Sequence, residues 1–514
     1  MNKSAVLLIV LFAVCAQAWQ ADLDALVGSA PGPERERLIG EIVKAAPDWS
    51  EIATHIRSIE FPPAETGTHL STTLCIDDVE RPWVMYVPEG YDPTVPTPLF
   101  VCLHGGVSRS DISDDPVGDV EGNEFRTLAD DNGWLMLFPF GQAGATWFDE
   151  VGMANIDDLV RTVKGEFNVD DDRVWMGGFS DGASAAFLYA MAAPNDYAAF
   201  VALNGHMGVG SLDGDLPTYA PNFFNTPVYA VTTFDDGLYP SDRMRHTIEM
   251  AREAGGELFY REHEGGHDFT YAEEELPRIS RFLQRHSRDP FPTRVVWEAA
   301  NARFGECRWF ALDRITTAEP ADWHTDHNVA LVSERITVGF FSNSEFEGPG
   351  MMVDSVLDDT FADRTGLAAG DVIIRADGMD IADRDDLNTW KTTVQRGDSV
   401  TITVQRGGGT LVLRGKLPEP ANYYLFKRAY PSGLARASFS ANRVDVEASR
   451  VGAFRILVHP DMFRLERNIV VTVNGEKVFD ALVEPDIEFM LRSFLDNRDR
   501  TLLYIAEVRI QLPS

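Results

Sequence analysis

The apolar positions of this chain fall into three successive regimes. From residue 20 to about 58 they recur at helical spacing, Leu23, Leu26 and Val27 and then Leu38, Ile39, Ile42 and Val43, with breaks at Pro31-Gly32-Pro33 and Pro47. From about 70 to 285, short continuous apolar runs (Trp83–Val87, Leu99–Leu103, Leu135–Phe138, Val174–Met176, Phe200–Leu203, Val228–Val231) alternate with helical stretches at 156–167, 183–192, 241–254 and 273–286. A strand covered on both faces loses the in-and-out alternation of a half-buried one, so this order predicts an α/β fold: a mostly parallel sheet with helices on both faces. Beyond Pro290-Phe291-Pro292 the pattern turns to short strands at 294–298, 307–312, 328–333 and 336–341, and later at 444–448, 454–458 and 469–473. The last of these runs into Asn474-Gly475, the strongest short hairpin signal.

These shifts divide the chain into a helical lead-in at 19–65, an α/β domain at 66–289, a β segment at 290–344, a separate unit at 345–418 and a β module at 419–514. The two β stretches are alike in character, which suggests one β domain interrupted by the unit between them. Ahead of the lead-in, residues 1–18 read as a signal peptide: one Lys, an apolar run from Ala5 to Ala16, and Ala16-Gln17-Ala18 as the small-x-small cleavage signal. The mature chain is then expected to begin at Trp19 and to be exported, to the periplasm or the outside. The run is shorter than the ~20 residues that span a bilayer, and no later stretch is long and apolar enough, so no transmembrane segment is expected after cleavage.

Composition narrows the partners. With 514 residues, 44% apolar and 24% charged, the chain is that of a folded multidomain protein. Its 80 acidic against 45 basic residues give a net charge of −35, which repels phosphate backbones and excludes nucleic acid as the partner. Cys75, Cys102 and Cys307 remain after cleavage, an odd number without metal-ligand or redox spacing, and Cys102 lies in an apolar run that places it in the core. There is no His-Glu-x-x-His pair, no Gly-Lys-Ser/Thr phosphate loop and no dinucleotide fingerprint, so no cofactor and no metal are expected.

The chemistry is carried by Gly178-Phe179-Ser180-Asp181-Gly182, directly after the strand at 174–176 and directly before a helix. A serine on so sharp a strand-to-helix turn is pushed out above the sheet, and the glycines two residues to either side leave room for the turn. A serine hydroxyl needs a base, and the base an orienting carboxylate. In chain order these are expected as an acid and then a histidine. Thr233-Phe234-Asp235-Asp236-Gly237 follows a strand and supplies the acid: Asp236, four residues before Pro240, is chosen, with Asp235 as its rival. Glu264-Gly265-Gly266-His267 supplies the base, His267, on a loop that two glycines let bend back; His263, beside the strand, lacks that freedom. His104-Gly105-Gly106 follows another strand, and the backbone N–H groups of Gly106, Val107 and Asp181 are the expected oxyanion donors, with His104 a structural loop residue.

Residues 82–285, with His104-Gly105-Gly106, Gly178–Gly182, Asp236 and His267, resemble the polyhydroxybutyrate depolymerase and feruloyl esterase branch of the α/β-hydrolases. That resemblance implies hydrolysis of a small or polymeric ester through a Ser180–His267–Asp236 triad. Prolyl-oligopeptidase-like peptidases and dienelactone hydrolases are similar at the same positions, so a serine peptidase stays open, as does a catalytically silent binding protein. Two departures bear on a polymeric substrate: Asp181 beside the nucleophile, and the lack of a recognisable carbohydrate- or polyester-binding module. At 345–418, Thr365-Gly366-Leu367 and Gly370-Asp371-Val372-Ile373-Ile374, then a helix over 385–395 and a strand over 399–405, resemble a PDZ domain. The resemblance implies capture of a peptide C-terminus by strand addition, with the carboxylate loop at Val338-Gly339-Phe340-Phe341. A structural spacer is the alternative.

Overall fold

The computed structural model describes residues 19–513 except 46, 111, 240, 328, 334–335, 344–345, 358–359, 420 and 427–430, so the leader expected at 1–18 lies outside the described residues. The chain forms two compact units, one from the chain up to Asn328 together with Leu425 onward, the other Val329–Tyr424.

Within the first unit an eight-stranded sheet runs through β1 (Gly67–Leu74), β2 (Glu80–Val87), β3 (Thr97–Leu103), β4 (Leu135–Pro139), β5 (Val169–Phe179), β6 (Ala199–Leu203), β7 (Val228–Thr233) and β8 (Leu258–His263). Their spatial order is β1-β2-β4-β3-β5-β6-β7-β8. β1 and β2 are antiparallel to their neighbours; from β4 onward every pairing is parallel. This is the α/β-hydrolase fold. Every residue of β3, β4, β6 and β7 is buried, which is why these strands read as continuous apolar runs. Because the strands are parallel, the loops after β3, β5, β6, β7 and β8 leave one edge of the sheet together, the edge where ligands bind in open α/β sheets.

The remainder of the first unit is a β module of two sheets. One contains Arg294–Ala299 paired with Gly433–Ser440; the other contains Phe310–Ile315 paired with Val451–Val458, so strands from both sides of the second unit share both sheets. Asn474 (φ 50°) and Gly475 (φ 88°) make the left-handed turn between Ile469–Val473 and Glu476–Ala481. The last element before the final strand is a helix, Ile487–Asn497, where the pattern predicts only β structure. Its Met490, Leu491, Phe494 and Leu495 are buried in the module's core. The helices at 19–27, Pro33–Ala45 and Trp49–Arg57 bury Leu23, Leu38, Ile42, Ile52 and Ile56 in that same core, so the lead-in belongs structurally to the C-terminal module.

The module meets the α/β sheet through buried ions. Lys164, at the end of the helix Glu150–Glu166, lies 2.6 Å from Asp196, 3.3 Å from Asp499 and 3.6 Å from Asp171. Arg288 pairs with Asp499 at 2.7 Å and Asp172 at 2.9 Å, and Arg500 reaches Asp171 at 3.1 Å. Arg308 of the module is buried and donates to the carbonyls of Pro194, Asn195 and Tyr197 just past the helix Asp181–Ala192, a cation placed where a helix end favours one. Among the described residues the three cysteines, Cys75, Cys102 and Cys307, are free and buried.

The second unit holds a six-stranded antiparallel sheet with the helix Arg384–Lys391, and a separate two-stranded sheet in which Val329–Ser333 and Ala421–Leu425 pair with each other. The boundary expected at 345 therefore moves back to 329, because Phe340–Ser342 pairs with Met351–Val356 inside this unit.

Candidate active site

The site is assembled from loops at the ends of β3, β5, β6, β7 and β8. Ser180 follows β5 with φ 59° and ψ −118°, a strained backbone for a residue with a side chain. Its neighbours show why the motif carries glycines. A Cβ on Gly178 would lie 2.1 Å from the Leu103 carbonyl oxygen, and one on Gly182 would lie 1.9 Å from the same atom. The end of β3 is thus packed directly onto both sides of the elbow. Ser180 donates its own N–H to the Leu203 carbonyl at 2.9 Å, tying the turn to β6 as well.

His267 lies on the loop after β8 and closes the relay: its Nε2 is 2.8 Å from Ser180 Oγ and its Nδ1 is 2.9 Å from Asp236 Oδ2. Asp236, not Asp235, is brought to the histidine. Asp235 is exposed, and only its backbone N–H, bonded to the Gly265 carbonyl, takes part in holding the two loops together. His263 points elsewhere, to Glu275 at 2.8 Å.

Asp236 is held by more donors than the histidine. Oδ1 accepts from the Leu238 and Tyr239 amides at 2.7 and 2.9 Å, and Oδ2 accepts from Asn204 Nδ2 at 2.8 Å. Burial pushes the carboxyl up, but hydrogen bonds from His267, Asn204 and the Tyr239 amide outweigh it and hold the group below its ordinary value. Asn204 is itself fixed, donating to Thr233 Oγ1 at 2.7 Å and accepting from the Tyr271 hydroxyl. Sequence reading passed over Asn204; the available signal was a polar residue, followed by Gly205, at the end of an apolar strand beside the nucleophile strand. The rings of Phe179 and Tyr239 stand 5.0 and 5.8 Å from the His267 ring.

His104 is structural. Its Nδ1–H donates to the Gly105 carbonyl at 2.8 Å, its Nε2 accepts from the Gly141 amide at 2.9 Å, and burial lowers its pKa, so it stays neutral. Two of the three expected oxyanion donors are engaged within the protein. The amides of Gly106 and Val107 both donate to Asp181 Oδ2, at 2.9 and 3.0 Å, so a carboxylate already occupies them. The Asp181 amide lies at the helix N-terminus, directly after Ser180.

In the second unit, Val338 is buried, Gly339 takes φ 91° against Thr360, and Phe340–Ser342 forms an edge strand paired on one side only. Arg384, at the start of the helix Arg384–Lys391, donates to Ser342 Oγ at 2.9 Å.

Residues 333–417 match the PDZ domain family. A stretch of 136 residues is 27% identical to the bifunctional acetylxylan esterase/xylanase XynS20E of Neocallimastix patriciarum; it covers 26% of this chain, and the chain spans about a fifth (19%) of that protein's length. Among solved structures the chain is similar to a ferulic acid esterase (14% identity, 43% of this chain and 99% of that one, TM-score 0.37). It is also similar to a thermostable esterase (20% identity, 43% and 63%, TM-score 0.35). The chain combines an α/β-hydrolase fold with a later stretch, 333–417, that matches the PDZ domain family. Among the described residues no helix is long and apolar enough to cross a membrane.

Proposed function

We propose that this protein is an exported serine hydrolase that cleaves carboxylic esters through an acyl-enzyme on Ser180. The observation that carries the reading is the continuous relay from Ser180 Oγ through His267 to Asp236 at the ligand-binding edge of the sheet. Ser180 Oγ attacks the ester carbonyl carbon while His267 Nε2 takes its proton. The tetrahedral intermediate collapses, the C–O bond to the alcohol breaks, and the imidazolium protonates the departing alkoxide. A water then repeats the sequence on the acyl-enzyme, releasing the acid and restoring the serine. Asp236 keeps the Nδ1–H tautomer throughout and offsets the imidazolium charge.

The test is a panel of p-nitrophenyl esters from acetate to decanoate, feruloyl methyl ester and a peptide anilide. The enzyme assayed is the protein recovered outside the cytoplasm, whose first residue should be Trp19. Ser180→Ala is expected to lower ester turnover by roughly 10⁴-fold or more. Ester cleavage that survives in the variant removes Ser180 from the mechanism; anilide cleavage at a comparable rate makes the protein a peptidase; an N-terminus at Met1 removes the cleavage after Ala18, and protein found only in the cytoplasm removes the export reading.

For the PDZ domain we propose capture of a peptide C-terminus on the open edge of Phe340–Ser342, supported by the left-handed Gly339 that turns the preceding backbone. The full-length protein should bind peptides with a free, apolar C-terminus and lose them on amidation. Equal binding of the amidated peptides would leave the unit a spacer.

A further inference from the structure

The Asp181 side chain is the part of the site that the hydrolytic reading leaves unused. A carboxylate next to the nucleophile would repel an oxyanion, yet here it is locked in place. Its Oδ2 accepts two consecutive backbone amides, Gly106 and Val107, from the loop after β3. Successive N–H groups converging on one oxygen form an anion nest, and bonds to an ionised acceptor are the strong kind. A neutral ester carbonyl is a poor replacement for such an acceptor, so the two amides are badly suited to serve as the substrate's donors.

The same loop is pressed against the nucleophile. A Cβ on Gly105 would stand 2.8 Å from Ser180 Cβ and 3.4 Å from Ser180 Oγ. Gly106 takes φ 73°, a conformation that glycine adopts without strain. On the far side, the neutral His104 ring bridges Gly105 and Gly141, and the Trp147 indole donates to the His104 carbonyl at 2.8 Å. The loop is therefore fixed at one end by His104 and at the other by Asp181. Among the described residues, the amides of Gly105 and Asp181 donate to no protein acceptor. These two amides belong to the residue packed on Ser180 and to the residue that follows it.

We propose that Asp181 is a positioning residue: its carboxylate tethers the 104–107 loop through the Gly106 and Val107 amides, and the oxyanion is received by the amides of Gly105 and Asp181. The proposal rests on the Ser180 acyl-enzyme reading. It replaces the loop donors Gly106 and Val107 by Gly105, nearer β3, and gives Asp181 two separate tasks, backbone donor and side-chain tether.

The experiment compares wild type, Asp181→Ala and Asp181→Asn on p-nitrophenyl butyrate. Each is also followed for its rate of labelling by a fluorophosphonate, which makes a tetrahedral adduct on the serine and draws on the same donors. Asp181→Ala is expected to lose roughly 10- to 100-fold in kcat and in labelling rate, with KM within about threefold and an unshifted pH profile. Asp181→Asn, whose amide oxygen accepts the same two N–H groups, should recover most of that loss. If the alanine variant does not fold, Asp181→Glu, which displaces the carboxylate by one methylene, carries the same expectation of lost kcat. Alanine activity equal to or above wild type would overturn the tether and make the carboxylate a plug in the oxyanion site. So would an asparagine variant as impaired as alanine. A wild type that cleaves no ester and takes no label would instead sink the acyl-enzyme reading on which the tether depends.

Discussion

Asp236→Asn is expected to fold and to lose roughly 10⁴-fold in kcat toward a chromogenic ester, while Asp235→Asn stays within about twofold of wild type. The reason lies in how the Asp236 oxygens are used. Oδ1 is committed to the Leu238 and Tyr239 amides, so an asparagine must keep its carbonyl oxygen there. Its NH2 group then replaces Oδ2 and faces two donors, Asn204 Nδ2 and His267 Nδ1–H. The histidine can relieve the clash only by moving its proton to Nε2, where it points at Ser180 and can no longer take the serine proton. Asn204 has no such escape, and the unmet donor costs about 1–3 kcal/mol of stability. Steady-state kinetics and thermal melts of the two variants check both parts; an Asp235→Asn defect equal to that of Asp236→Asn would contradict the geometry.

Asp499→Asn is expected to destabilise the first unit by about 3–5 kcal/mol, although it lies far along the chain from the nucleophile. Asp499 is fully buried and balances two buried cations, Arg288 and Lys164, while also accepting from the Thr501 and Leu502 amides. Burial pushes its carboxyl up, but Arg288 and Lys164 outweigh that effect and hold it well below the usual range. A group with a depressed folded pKa gives stability that is present above its unfolded value, about 3.9, and is lost as pH falls through the folded one. Asp171, by contrast, is pushed up by burial and by Asp499 itself, so it favours the folded state on the acid side. Melting temperature against pH should fall by several degrees in the variant near neutrality, and the gap should narrow on acidification. A constant gap across pH would show that packing, not charge, is what the substitution removes.

Much of this molecule was legible because its chemistry sits in local sequence. The continuous runs of β3, β4, β6 and β7 reflect burial on both faces, and the elbow glycines reflect one carbonyl, Leu103, lying against each of them. The choice between Asp235 and Asp236 was harder, since it depends on which of two adjacent side chains turns inward after β7. What was not legible is what depends on distant contacts. Asn204 acts through Asp236, 32 residues away, and no spacing rule announces that pairing. That the Asp181 side chain engages the Gly106 and Val107 amides was not legible either, because side-chain direction is set by the loop conformation. β1 escaped notice because only two of its eight residues, Leu70 and Leu74, carry large apolar side chains, and both are exposed. The helix Ile487–Asn497 shows a 3.6-residue apolar stripe in retrospect, but it is embedded in a stretch dominated by strands.

The packing of the N-terminal helices on the C-terminal module sets a timetable for the chain. Leu23, Leu38 and Ile52 find their partners among residues such as Phe454, Leu491 and Val508, more than 400 positions downstream. During synthesis these helices emerge before the module and must wait with their apolar faces uncovered. The α/β sheet, whose contacts are nearer in sequence, can assemble in the meantime, and the last strand, Ala506–Gln511, completes the core that the first helices need. Removing even a short C-terminal segment would therefore strand the beginning of the protein as well as its end, so a truncated product should be open to proteases at both termini.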